Sequence, residues 1–351
     1  GKIIYLAGLN QPTETIAEIT NYQQQHCTNV LNLLQTLTAN SVAAPIWLMT
    51  RGCQAVAHNL DSSAVASSCL WGLTSAIAIG HPEFWGGIVD LDMKPSNNET
   101  DRLLQVIEQT NQEDRVAVRQ NKLYVPRLQT SADLDLSQSL ALSKGSYLIT
   151  GGLGSLGLKT AQLLADQGAK NLILLGRSQP SEHAQQAIAN LAQQGVTVDI
   201  VQVDITNYAA LKNTVDLVAK HSIKGVIHAA GVIDDGLLQN QTWASFQQVI
   251  APKVTGAWNL HQATQDLELD FFVLFSSVAA LIGSPGQSNY TVANAGLDAI
   301  ARYRHSQGLP ALSINWGAWA DSGMAVEQGF KVKGLNLIEP DAGLVALKRL
   351  L

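Results

Sequence analysis

From residue 146 onward, short apolar runs rich in Val and Ile alternate with longer amphipathic stretches. That is the rhythm of strand-helix-strand units building a parallel sheet. SYLIT, NLILLG, VDIVQVD, GVIHAA, FFVLFSS and ALSINW read as strands, and helices fill the intervals. One helix is predicted from Ser155 to Ala169, where Leu156, Leu163 and Leu164 mark a buried side. The expectation is a doubly wound sheet, seven parallel strands when complete.

The first 128 or so residues repeat this rhythm less clearly, with candidate strands at KIIYLAGL, APIWLMT, GGIVDLD, RVAVRQ and KLYVPRL. GLNQPTET follows the first of them in place of a glycine-rich turn, so a dinucleotide could not approach the backbone there. Thr130 to Ser143 is polar and rich in Ser, Asp and Gln, as a linker would be. The fold class predicted is α/β with two Rossmann-like subdomains: a truncated structural one over 1–130, a linker over 131–145 and a complete doubly wound catalytic one over 146–351.

Composition narrows the function classes. Hydrophobic residues make up 46% and charged residues 14%, which suits a packed enzyme and not a disordered chain. Against 28 Asp and Glu stand 22 Lys and Arg with no basic cluster, so nucleic acid is not an expected partner. Cys27, Cys53 and Cys69 show no Cys-x-x-Cys spacing, and neither a metal site nor a disulfide framework is expected. No uninterrupted apolar run looks long enough for a bilayer, and the N-terminus lacks the basic start and apolar core of a signal peptide, so the expectation is a cytoplasmic protein without a membrane partner. A start at Gly1 and an end at Leu351 inside an apolar, helical pattern suggest a piece of something longer.

Thr150 to Leu158 reads TGGLGSLGL, after a strand and before a helix. Gly152, Gly154 and Gly157 supply Gly-x-Gly-x-x-Gly: a tight turn, close backbone approach to a pyrophosphate, and helix-strand packing, with the helix N-terminus facing the anion. The next strand ends in LLGRS, and Arg177 with Ser178 there points to a 2′-phosphate, hence NADPH over NADH. Asp204, closing VQVD, lies where adenine would sit or caps the helix beginning near Asn207.

A hydride donor needs a partner that protonates the forming alkoxide, and a tyrosine serves if a nearby positive charge lowers its pKa. Tyr290 is the candidate, thirteen residues after Ser277 at the end of FFVLFSS, with Asn294 one helical turn on. These residues resemble the short-chain dehydrogenase/reductase superfamily, whose usual signature is Tyr-x-x-x-Lys preceded by a serine. Here the i+4 position is Asn294. Lys253, in APKVTGAWNLH, matches the exchanged Lys/Asn arrangement of ketoreductases in polyketide and related fatty-acid synthases.

The resemblance spans the chain, and PIWLMTRGCQAV, LWGLTSAIAIGHPEFWGGIVDLD and EDRVAVRQNKLYVPRL are similar to the structural subdomain of such synthases. It implies that Lys253 supports the tyrosine and the nicotinamide ribose, Ser277 holds the carbonyl, Tyr290 donates the proton and Asn294 orders the relay. Its implied cofactor set is Thr150, Gly152, Gly154, Ser155, Leu156, Gly157, Arg177, Ser178, Asp204, Ile205, Ala229, Ala230 and Gly231. His81, Trp85 and Cys53 then read as packing residues. GVIDDGLL is similar to the Leu-Asp-Asp fingerprint of B-type ketoreductases, with Ile233 for Leu and Asp235 as the diagnostic acid. Pro285, Asn289 and Ile282 also resemble that type and imply a D-configured alcohol. Gly317, Trp319, Gly323 and Met324 are candidates for a lid over substrate. The implied activity is NADPH-dependent reduction of a β-keto thioester carried on the phosphopantetheine of an acyl carrier protein, beside other synthase domains. The alternative is a reductively silent scaffold of the same fold.

Overall fold

The computed structural model describes residues 1–10, 15–56, 59–108, 113–130, 140–218, 222–320 and 336–351. In the first half, β1 (Ile3–Tyr5), α1 (Ile16–Ala39), β2 (Ile46–Arg51), α2 (Ser63–Gly80), β3 (Trp85–Leu91), α3 (Glu99–Glu108), β4 (Arg115–Arg119) and β5 (Lys122–Tyr124) follow in turn. The second half runs β6 (Ser146–Thr150), α4 (Ser155–Asp166), β7 (Asn171–Gly176), α5 (Glu182–Gln193), β8 (Thr197–Gln202), α6 (Tyr208–Val218) and β9 (Ile223–His228). It continues through α7 (Trp243–Ile250), a π turn (Ala251–Thr255), α8 (Gly256–Thr264), β10 (Phe271–Ser277), α9 (Ala279–Ile282), α10 (Ser288–Ser306), β11 (Leu312–Trp316) and α11 (Pro340–Leu350).

The chain folds into two compact units that are not contiguous in sequence. Gly1–Gln129, Asp234–Val254 and Ser276–Gly308 form one; Thr130–Ile233, Thr255–Phe275 and Leu309–Leu351 form the other. The expected 146–351 stretch is therefore divided between them, because α2 needs cover that α1 alone does not give. Fourteen residues of α2 are buried, and α1 and α10 both pack on it. With a mean hydropathy of 1.4 over 18 residues, α2 is long and apolar enough to cross a bilayer, contrary to the sequence reading. Its side chains are spent on protein packing instead.

In this first unit the sheet order is β1-β2-β3-β4-β5, parallel except for the β4–β5 pair. One face carries Trp47, Met49, Val89, Leu91, Val116 and Val118, packed with Val106 and Ile107 of α3. The two-residue alternation within each strand puts these on the same side. Because the order never reverses, this sheet has no switch-point crevice of the kind that receives a dinucleotide.

The other sheet has the order β11-β10-β9-β6-β7-β8. Six strands are present among the described residues, against the seven expected of a complete sheet. Its order reverses between β6 and β9, which pair in parallel with Thr150 opposite His228. Tyr147, Ile149, Leu172, Leu174, Val273 and Phe275 form a continuous core with α4, α5, Trp316, Trp319 and Leu347. The helix α4 ends three residues before its predicted end. There Gly168 N–H donates to Ala165 O and Ala169 N–H to Leu164 O, a Schellman closure. Trp319 is 4% exposed and lies edge-on to Trp316 at 5.1 Å, so it is a core residue and not a lid. Gly323 and Met324 lie outside the described residues.

Candidate active site

In the second unit the glycine loop sits at the carboxyl end of β6. The residue that requires the left-handed turn is Gly151, at φ +64°, and not Gly152 as the Gly-x-Gly-x-x-Gly reading placed it. A Cβ on Gly151 would stand 2.9 Å from the Ala229 carbonyl, and one on Gly157 would stand 2.2 Å from Gly151 O. Neither tolerates a side chain. The Gly151-Gly152 pair directly after Thr150 is the signal of this turn in the sequence. Gly152 is buried against Ile149 O and Leu174. Gly154 is exposed and is the N-cap of α4, with no side-chain capping bond, so Ser155 and Leu156 open a helix whose first N–H groups have no side-chain acceptor.

Around this loop, Thr150 is fully buried, its hydroxyl 2.7 Å from His228 Nδ1. Ala229 N–H donates to Thr150 O, and Ala229, Ala230 and Gly231 continue half-buried from β9. Arg177 and Ser178 are exposed just after β7. Asp204 accepts from Thr206 N–H and Oγ at 2.9 and 2.8 Å; those bonds, with the Arg177 charge, hold its carboxyl below the usual range. The cap of α6 is Asn207, which accepts from Ala210 N–H, so Asp204 is not the capping residue. Ile205 is buried where a Cβ on Gly256 would meet it, and its carbonyl accepts from Asn259 Nδ2 at 2.9 Å.

The loop fits a dinucleotide on its own geometry: an exposed glycine cap, uncapped helix donors, and an arginine at the end of the adjacent strand. Among the described residues no cluster of three or more His, Cys, Asp or Glu could hold a metal ion.

The first unit brings Lys253, Ser277, Tyr290 and Asn294 together. Pro252 lacks an N–H, and at this point α7 widens into the π turn that carries Lys253. Lys253 is only 3% exposed; its Nζ donates to Asn294 Oδ1 at 3.0 Å and stands 5.3 Å from the Tyr290 ring centroid. Asn294, fully buried, returns its Nδ2 to Tyr290 O at 2.8 Å. The Tyr290 hydroxyl is hydrogen-bonded to Ser277 and Asn294, while Ser277 Oγ also accepts from Ala279 N–H at 3.2 Å.

Burial pulls Lys253 down from 10.5 to about 8, with the Asp298 carboxylate opposing the fall. Tyr290 moves the other way from the sequence expectation: burial pushes its phenol up, and the bonds to Ser277 and Asn294 only partly offset that. Asp298, 5% exposed and one turn beyond Asn294 on α10, was not singled out in the sequence. An acid four residues after Asn294 was the available clue.

The stereocontrol candidates cluster beside Tyr290. Ser284 to Gln287 makes a turn closed by Gln287 N–H to Ser284 O, with Pro285 exposed at its second position and Gly286 at φ +76° at its third. Gln287 Nε2 donates to both Asp235 oxygens at 3.1 Å, and Gly236 N–H donates to Gly286 O at 2.8 Å. Asn289 holds Asp234 O and Ser245 O with its amide group and accepts Tyr290 N–H. Burial raises the Asp235 carboxyl above its usual range. Ile282 is 41% exposed. Gln287, absent from the sequence candidates, is the residue that fastens Asp235.

A family model described as "KR domain" matches residues 145–321, and one described as "Polyketide synthase extender module SpnB, Rossmann fold domain" matches residues 6–128. Polyketide synthase GfsB of Streptomyces halstedii is 36% identical over 336 residues, 91% of this chain but 6% of the relative. A solved A1-type ketoreductase superimposes with a TM-score of 0.91 at 33% identity, covering 99% of this chain and 74% of that one. The first ketoreductase of the tylosin polyketide synthase gives 0.86 at 34%, with the same coverage. Fold and site together define an oxidoreductase of the short-chain dehydrogenase/reductase type. The chain belongs to the ketoreductase domains of modular polyketide synthases, and it spans only a small part of the length of its curated relatives.

Proposed function

We propose that the chain reduces a β-keto thioester, held on the phosphopantetheine of an acyl carrier protein, to a β-hydroxy thioester with NADPH. The observation that carries this reading is the Lys253–Asn294–Tyr290 constellation, closed by a 3.0 Å bond inside a buried site. When bound, NADPH supplies the hydride. Ser277 orients the ketone oxygen, and Tyr290 donates its phenolic proton to that oxygen as negative charge builds there. A phenol pushed upward by burial stays protonated at neutral pH, which a proton donor requires. Asn294 keeps the Lys253 ammonium beside the ring, where its charge stabilises the phenolate left behind.

For the cofactor we assign Thr150, Gly151, Gly152, Gly154, Ser155, Leu156 and Gly157 to the phosphates, Arg177 and Ser178 to the 2′-phosphate, Asp204 and Ile205 to the adenine side, and Ala229, Ala230 and Gly231 to the nicotinamide side. Exposed Arg177 supports NADPH over NADH. Asp235, fastened by Gln287, supports a D-configured product, with Ile282, Pro285 and Asn289 shaping the approach. We further propose that 1–130 serves as scaffold and 146–351 as the reducing part, in the cytoplasm beside other synthase domains. Tyr290→Phe should lower kcat for a β-keto thioester by ~10²–10⁴-fold and leave NADPH affinity within twofold. An active Phe variant, or a wild-type chain that binds NADPH without oxidising it, overturns the reading. Chiral analysis of the product checks the handedness.

A further inference from the structure

We propose that α2 positions the catalytic groups, and that Gly72 is the residue through which it does so; this rests on the reading of Tyr290 as proton donor. A Cβ on Gly72 would lie 2.5 Å from Val292 Cα and 2.8 Å from both Thr291 O and Val292 N. All three are backbone atoms of α10, one and two residues after Tyr290. The two helices are thus in backbone contact at the turn that carries the phenol, and no rotamer change could make room for a methyl group.

A second contact lies three residues further along α2, on the same face. Ser75 Oγ donates to Ala280 O at 2.9 Å, and Gly283, at φ +83°, approaches so closely that a Cβ there would stand 2.3 Å from Ser75 O. This holds α9, which begins two residues after Ser277, against the same helix. On another side α10 meets Val254 through Gly296, where a Cβ would stand 2.5 Å from Val254 Cγ2. Val254 is the neighbour of Lys253. Tyr290, Ser277 and Lys253 come from three separate segments, and α10 is fixed by α2 at one contact and by the π turn at another.

A methyl group at Gly72 needs about 1 Å more room, and a misplacement of that size at a reacting group costs ~10²-fold in rate. The test compares Gly72→Ala, Ser75→Ala, Leu70→Ala and Tyr290→Phe for kcat and KM with a β-keto thioester, NADPH affinity and melting temperature. Leu70 packs against Gly8 and controls for lost stability alone. Gly72→Ala should lower kcat by ~10-fold or more with NADPH affinity within twofold, while Leu70→Ala, matched in melting temperature, keeps kcat within about threefold. Ser75→Ala adds no volume and should still lower kcat at least ~3-fold. Full kcat in Gly72→Ala, or an equal loss in Leu70→Ala, overturns the proposal. If Gly72→Ala does not fold, Ser75→Ala decides, and a kcat less than about threefold below wild type sinks the proposal. A fully active Gly72→Ala beside an inactive Tyr290→Phe removes the positioning role alone, whereas an active Tyr290→Phe removes the proton donor beneath it.

Discussion

Replacing Lys253 with Met should abolish reduction and at the same time raise stability at neutral pH. Burial lowers the lysine from 10.5 to about 8. That displacement of about 2.5 pH units is about 3 kcal/mol of folding free energy at ~1.4 kcal/mol per unit. Below the folded value both folded and unfolded chains carry the proton, and the folded state bears the full penalty of a buried ammonium. Between about pH 8 and 10.5 the unfolded chain binds more protons, so stability rises with pH and the penalty fades. Methionine fills nearly the same volume. It leaves Asn294 Oδ1 without its donor, at a cost of about 1–3 kcal/mol. The balance at pH 7 favours the variant by about 1 kcal/mol, a rise in melting temperature on the order of 2 °C. Scanning calorimetry of both proteins from pH 7 to 9.5 reads the difference directly. It should shrink as pH rises. A variant less stable than wild type at pH 7, or a difference that does not change with pH, refutes the argument that the lysine is held charged against its burial.

Two other substitutions probe the surrounding charges. Asp298→Asn removes the carboxylate that opposes the fall of Lys253, so the alkaline limb of the kcat profile should move to lower pH; an unmoved limb would mean that the lysine charge does not set it. Arg177→Ala should weaken NADPH binding by ~10-fold, the scale of one charge-assisted contact, and leave NADH binding nearly unchanged; equal losses for both would place the 2′-phosphate elsewhere.

How far the sequence reveals this molecule depends on the range of the interaction. The inner strands of the second sheet, β6, β7, β9 and β10, were legible because both their faces are buried, which writes continuous apolar runs such as NLILLG, whereas the edge strand β8 is largely exposed. The Lys253–Tyr290–Asn294 grouping was legible from a resemblance, although nothing in local spacing joins a lysine to an asparagine 41 positions away. Contacts between helix backbones were not legible. Gly72 sits inside SAVASSCLWGLTSAIAIG, where one more small residue in an apolar helix signals nothing. The same blindness misplaced the turn glycine at 152 rather than 151, since which residue takes a positive φ depends on the approach of Ala229, a partner 78 positions on.

The unexpected upward direction of Tyr290 alters how the site divides its work. A lysine that simply lowered the phenol toward neutrality would leave the acid partly ionised before the ketone arrives. Burial instead acts on both groups, raising the phenol and lowering the ammonium, so each is biased toward its neutral form. On the lysine side Asn294 accepts from Nζ and Asp298 opposes the fall by its charge, while on the phenol side Ser277 and Asn294 offset only part of the rise. The phenol is thereby kept as an acid while the cation is kept charged, and the stabilisation of the phenolate is reserved for the moment at which it forms. Helix α10 carries Tyr290, Asn294 and Asp298 on successive turns of one face, so a single rigid-body placement of that helix sets all three relations to Lys253. That is why a methyl group on a neighbouring helix, placed against the backbone just after Tyr290, is expected to act on the proton transfer and not on cofactor binding.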